Sequence, residues 1–254
     1  MFKKVRITIL LVILVIVAGD AWLTSLRTTD WDISLDVVIY PVNGDGSEIA
    51  SSYIDSLDQE VFKAVANFMA SEGRSYQLGL REPVDVYLAP EVTLLPPIAP
   101  FGGGVLDVML WSLKMRWWAW RADTYEDPAD IRIFVLYYDP SVYKELGHSL
   151  GLKEGLLCLV KAFADYSLAP RNNVIIAHEM LHTLGALDKY DARTEQPYFP
   201  DGYAEPDRKP LYPQNRAEIM GGLIAVSAEK SKMPIGLDYA VIGPVTAEEI
   251  GWIN

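Results

Sequence analysis

One cysteine, Cys158, and three histidines supply all the thiol and imidazole in this 254-residue chain. A lone thiol forms no intramolecular disulfide, so the fold must hold in its compartment without such staples. Lying within Leu156-Leu157-Cys158-Leu159-Val160, Cys158 is expected to be a core strand residue. It is also far from the N-terminal apolar run, which excludes a lipoprotein. Basic charge is scarce as well: 22 Lys and Arg face 34 Asp and Glu, a formal net charge of −12. That balance argues against a nucleic-acid partner, because phosphates attract basic surfaces. Gly102-Gly103-Gly104 has no following Lys-Ser or Lys-Thr, which excludes a phosphate-binding loop. There is no internal repeat, no long low-complexity stretch and, past the N-terminus, no linker rich in Gly or Ser. With 50% of residues hydrophobic, the composition is that of a globular protein.

The N-terminus carries its own signal. Lys3, Lys4 and Arg6 precede an uninterrupted apolar run from Ile9 to Ala18, the pattern of a charged and then a hydrophobic export region. The run is short for a bilayer span, but Ala21, Trp22, Leu23 and Leu26 extend its character. Residues 1–27 therefore read as a signal peptide cut near Gly19 or Ala21, or as an uncleaved anchor. The anchor is favoured, since the cleavage site is poor and Trp22 suits a membrane interface. Either way residues 28–254 are expected to form one catalytic domain outside the cytoplasmic membrane, anchored to it, or secreted or periplasmic if the segment is removed.

Ile33 to Val42 is rich in β-branched residues and ends in Asn43-Gly44-Asp45-Gly46, a strand followed by a turn. A helix follows, with Ser56 and Gln59 at capping-box spacing, Leu57, Val61, Val65 and Phe68 at helical intervals, and Gly73 as its end. Val84 to Leu88 reads as a strand, and a proline-rich crossing comes after it. From about Val105 to Arg121 two apolar stripes run along one helix: Leu106, Met109, Leu110, Leu113, Trp117 and Trp120, and Val108, Trp111, Met115 and Trp118. A helix this apolar is buried on most sides or lies near lipid, and a core helix packed on the sheet is expected. Ile131 to Tyr138 and Gly155 to Phe163 read as further strands, with Asn172 or Asn173 capping the next helix. From Lys189 onward the chain is irregular, until Thr246 and Glu249 open a short final helix as a capping box. The fold class predicted from this order is α+β, a mixed sheet with packed helices and an irregular C-terminal subdomain.

One of those helices carries the chemistry. In Ala177-His178-Glu179-Met180-Leu181-His182, residues four apart share a helix face, so both imidazoles can address one metal ion. Zinc suits two imidazoles and a third ligand, because one tetrahedral position is left for water, whose pKa the metal brings toward neutrality. Glu179 lies beside the ligands and can take that water's proton and pass it to a leaving amine. Gly185 lets the chain turn three residues past His182, and Asp188 then arrives where a returning chain can supply a third ligand. Asp191 is a competitor for that place. His148, the remaining histidine, sits in the turn-like Gly147-His148-Ser149-Leu150-Gly151 and reads as a loop histidine. Tyr190, Tyr203, Tyr212 and Tyr239 include possible phenol donors to a developing oxyanion.

The pattern His178-Glu179-x-x-His182-x-x-Gly185-x-x-Asp188 resembles the extended zinc motif of the metzincin metallopeptidases. Aspartate in the last place is similar to the variant of snapalysin-type secreted peptidases. Glu218-Ile219-Met220-Gly221-Gly222 also resembles the methionine turn that this clan carries beneath its metal. The resemblance implies a zincin-like fold, Zn2+ held by His178, His182 and Asp188, Glu179 as general base, and protein or peptide substrates. The alternatives are a zinc hydrolase acting on a non-protein amide of the cell envelope, and a non-catalytic binding protein of the same fold. The intact His-Glu-x-x-His weighs against the last.

Overall fold

The computed structural model describes residues 30–100, 104–153 and 155–253. The expected N-terminal signal or anchor, like Gly102 and Gly103, lies outside the described residues. Among them the main sheet has five strands: β1 (Leu35–Asn43), β2 (Val84–Leu88), β3 (Ile131–Tyr138), β4 (Leu150–Leu152) and β5 (Leu157–Phe163). Their order is β2-β1-β3-β5-β4. β1 pairs in parallel with β2 and β3, and β3 with β5, while the short edge strand β4 runs antiparallel to β5. The molecule is thus α+β with a mixed sheet, as the element order predicts.

Both faces of this sheet are covered, and the period of two along the strands shows how. Val37 and Ile39 of β1, with Ile133 and Val135 of β3, point into one buried cluster. Val38, Tyr40 and Val42, with Phe134 and Leu136, point into the other. The first face carries α1 (Glu48–Asp55), α2 (Lys63–Ser75) and α4 (Ala169–Leu184). The second carries α3 (Val105–Ala122) alone among the described helices, through Trp111, Met115, Trp118, Ala119 and Ala122. α5 (Pro244–Glu249) closes the chain against the first face through Ala247. Cys158 is fully buried in β5, as expected of a core strand residue.

Three caps differ from the sequence reading, each because another hydrogen bond claims the side chain. Ser56 sits at the C-terminus of α1, its hydroxyl donating to the Tyr53 carbonyl at 2.8 Å, and Asp58 caps the following 3-10 turn Gln59–Phe62 instead. α4 starts at Ala169, behind an Asp165-capped turn. Asn172 bonds both backbone groups of Phe163, and Asn173 donates to the Val61 carbonyl at 2.7 Å. Thr246 is buried and donates to Glu218 at 2.7 Å, so α5 begins at Pro244 after Gly243. Gly73 lies inside α2, which ends two residues later at Ser75.

Candidate metal centre

α4 buries Val174, Ile176, Ala177, Met180, Leu181 and Leu184 against the sheet, which turns His178 and His182 toward the open side. The helix stops at Gly185, whose φ of 110° is the left-handed conformation that glycine adopts without strain. Its N–H donates to the His182 carbonyl at 3.1 Å and that of Ala186 to the Leu181 carbonyl at 3.0 Å. This turn brings Asp188 back over the helix. Asp188 Oδ1 lies 3.2 Å from His178 Nε2 and 3.1 Å from His182 Nε2, and the two Nε2 atoms are 3.1 Å apart. Asp191, its competitor in the sequence, is used elsewhere: its carboxylate accepts the N–H groups of Arg193 and Thr194, both at 2.9 Å.

The second nitrogen of each ring decides what this triangle can hold. Nδ1 of His178 faces the Ile219 carbonyl at 2.9 Å, and Nδ1 of His182 faces the Ala186 carbonyl at 2.8 Å. A carbonyl only accepts, so each Nδ1 carries a proton and, in the neutral ring, each Nε2 offers a lone pair. In that state two lone pairs and a carboxylate oxygen converge with no donor between them, an arrangement able to hold a cation. The edges of 3.1–3.2 Å are close to the roughly 3.3 Å edge of a tetrahedron with 2.0–2.1 Å ligand bonds. Two imidazoles and one carboxylate favour zinc or another first-row transition ion over magnesium or calcium. Among the described residues these three are the group placed to hold a metal.

The electrostatics follow from crowding of like and unlike groups. Burial disfavours ionisation of Asp188, but the imidazoles of His178 and His182 override it and hold the carboxyl well below its usual range. Burial also disfavours a charged His182, yet its bonds to Asp188 and the Ala186 carbonyl raise its pKa. Glu179 is 7% exposed and does not join the triangle. Burial raises its pKa, opposed by the two histidines, which makes it a stronger base than a free carboxylate.

Met220 is fully buried in the 3-10 turn Ile219–Gly221. This turn supplies the Ile219 carbonyl that orients His178, and the Met220 carbonyl accepts the Lys189 N–H at 2.9 Å. Glu218 fixes the turn from behind, accepting from the N–H of Gly221 at 2.8 Å and of Gly243 at 3.1 Å. Of the four tyrosines, Tyr190 is the one that lines the cleft. Burial and the charges of Asp188 and Glu179 push its phenol up to about 12, so it stays a donor at neutral pH. Tyr203 and Tyr212 face each other instead, with hydroxyls 3.0 Å apart.

The cleft, about 360 Å³, is bounded on one side by β4 and the preceding Ser149 and His148. His148, which reads in the sequence as an ordinary loop residue, therefore stands at the mouth of the site. β4 itself escapes sequence reading, since three residues with a central glycine show no periodicity. A second cavity of about 180 Å³ opens beside His178, with Val174, Ile175, Ile219, Leu223 and Met233 in its walls. The sequence matches no family model and no curated protein.

Proposed function

We propose that the chain is a zinc-dependent peptidase of the metzincin-like zincin type, with His178, His182 and Asp188 as ligands and Glu179 as general base. The observation that carries this reading is the convergence of two Nε2 lone pairs and a carboxylate oxygen, each ring oriented by a carbonyl behind it. A zinc ion held there would supply Lewis acidity toward a water and toward a substrate carbonyl. Glu179, desolvated and next in sequence to His178, takes a proton from water in the cleft and delivers it to the departing nitrogen. The phenol of Tyr190 is a donor to charge developing on the carbonyl oxygen.

A peptide fits the surroundings. β4 is the outer strand of its sheet, so an extended chain can add to its free edge. Gly151 of this strand packs directly against the helix turn of Glu179 and His182, which would lay that peptide across the metal triangle. The apolar cavity beside His178 then accommodates a hydrophobic side chain next to the scissile bond.

The test is paired. The full chain and its Glu179→Gln variant are purified, bound metal is measured by elemental analysis, and a mixed peptide library is offered to each. Near-stoichiometric zinc in both, with cleavage by the unaltered chain alone, is the expected result. Zinc without cleavage would favour a non-peptide envelope amide. A folded protein that binds no zinc would overturn the assignment.

A further inference from the structure

Among the described residues, nothing covers one face of α3. While Trp111, Met115, Trp118 and Ala119 pack on the sheet, Leu106 is 74% exposed, Met109 57%, Leu110 58%, Leu113 62%, Trp117 59% and Trp120 74%. These six recur at i, i+3, i+4, i+7, i+11 and i+14, one stripe running about 21 Å along the helix. Leu95 and Ile98 in the segment before α3 are exposed as well, and that segment is held to the helix by the bond from Trp111 Nε1 to the Pro97 carbonyl at 3.0 Å. Each large side chain leaves on the order of 100 Å² uncovered, so the patch exceeds the few hundred Å² that soluble monomers ordinarily expose. The sequence expectation of a helix packed in the core thus holds for Trp111, Met115 and Trp118 and fails for Val108 and for the whole of the other stripe.

The helix is also held in one orientation. At its C-terminal end Asp123 accepts from Tyr40 at 2.6 Å and pairs with Arg132 at 2.8 Å, which ties it to β1 and β3. The exposed stripe therefore points away from the sheet, on the side opposite α4 and its metal triangle.

We infer that this face of α3 seats the domain on a phospholipid surface, in the headgroup and upper acyl region. Three observations favour lipid over a protein. The stripe ends in two exposed tryptophans, whose amphipathic rings suit that depth. Arg121 lies over the Trp117 ring at 5.2 Å, and Lys114 and Arg121 flank the stripe with stems long enough to hold their charge in water. The exposed charges of α3 are the cations Lys114 and Arg121 against the single anion Asp107, a net of +1 within a chain of −12. This local excess complements anionic headgroups. No described helix is long and apolar enough to cross a membrane, so α3 would lie along the surface.

The N-terminal sequence explains why so modest a contact suffices, and the inference rests on its reading as an anchor. From Ala18, the end of the apolar run, to Asp30, where the described residues begin, the chain reaches at most about 40 Å. A domain held that close to a bilayer meets it at high effective concentration, so a contact too weak to recruit the free domain still orients the tethered one. Seated on α3, it turns the metal cleft away from the membrane, toward substrates in solution.

Site-directed spin labelling of the full chain in phosphatidylcholine–phosphatidylglycerol vesicles tests this. Cys158 is fully buried, so a thiol introduced by Leu113→Cys takes the label alone. Ser52→Cys, exposed on α1 over the other sheet face, is the reference. The label at 113 is expected to collide severalfold more with oxygen, and severalfold less with a water-soluble nickel chelate, than the label at 52. Equal exposure of both labels to nickel would overturn the inference. So would shielding of 113 from both reagents, which means a protein cover; spin–spin broadening would then mark a second copy, and its absence the chain's own apolar run. Failure of the full chain to float with vesicles would overturn it too. None of these outcomes bears on zinc content or peptide cleavage.

Discussion

A Cβ on Gly151 would lie 2.7 Å from the Cβ of His182 and 2.8 Å from the Glu179 carbonyl oxygen. Neither neighbour can swing away, since one is the root of a side chain and the other is helix backbone. Gly151→Ala therefore has to move β4 off α4 and is expected to cost about 1–3 kcal/mol. It also shifts the helix turn that carries both histidines, so zinc affinity falls together with stability. Gly147→Ala is the contrast, because its Cβ would meet only the mobile end of Lys161 at 2.9 Å and should change little. Thermal melts and zinc titrations of both variants check this, and equal behaviour would refute the close-packing argument. The same scale shows what the sequence could tell. His178 and His182 are legible because helix periodicity alone puts them on one face, and Glu179 because it lies beside them in sequence. The choice of Asp188 over Asp191 depends on the left-handed turn at Gly185 and on Asp191 bonding its own loop. Tyr190 and His148 reach the cleft through long-range packing that no local pattern encodes.

At the scale of elements, legibility follows the strength of the local signal. Val84–Leu88 and Ile131–Tyr138 are found as predicted because β-branched and aromatic runs there are bounded by turn residues. α1 is a short helix whose cap, Ser47, lies in a turn-rich stretch, and it goes unnoticed beside the stronger pattern that follows. The loop 205–215 is irregular, as the sequence reading has it, and takes its order from a clamp of side chains. Gln214 Nε2 donates to the carbonyls of Glu205 and Leu211, while Glu205 Oε2 accepts from the Asn215 N–H at 2.9 Å. That bond, with help from Arg208, lowers the Glu205 pKa below its ordinary 4.5. A depressed carboxylate contributes stability that is present above its unfolded pKa and lost as pH falls through the folded one. Glu205→Gln is therefore expected to cost about 1 kcal/mol at pH 7, in line with a half-exposed charged hydrogen bond. Denaturant titrations across pH should show the gap between parent and variant closing below pH 4.5, and a gap that widens there would contradict the assignment.

Across the whole molecule, the sheet with its helices and the irregular chain after Gly185 are joined by a few long-range bonds. Trp31 Nε1 donates to the Ile250 carbonyl at 2.7 Å, the Tyr76 hydroxyl donates to the Ile242 carbonyl at 2.7 Å, and the His178 ring reaches the Ile219 carbonyl. The metal triangle belongs to this set, for α4 supplies two of its corners and the returning segment the third. An ion there would tie the segment to the helix, so its binding energy adds to the stability of the entire domain. Free zinc at a hundredfold excess over its dissociation constant contributes about 2.7 kcal/mol. For a domain of this size that corresponds to a rise of roughly 5–10 °C in melting temperature. Calorimetry of the full chain with zinc and after chelation is expected to show this difference. Asp188→Ala should melt near the chelated temperature in both conditions, because two imidazoles alone hold zinc weakly. Identical melting of the parent chain with and without chelator would mean that the triangle binds no structural or catalytic ion, and the proposed chemistry would fall with it.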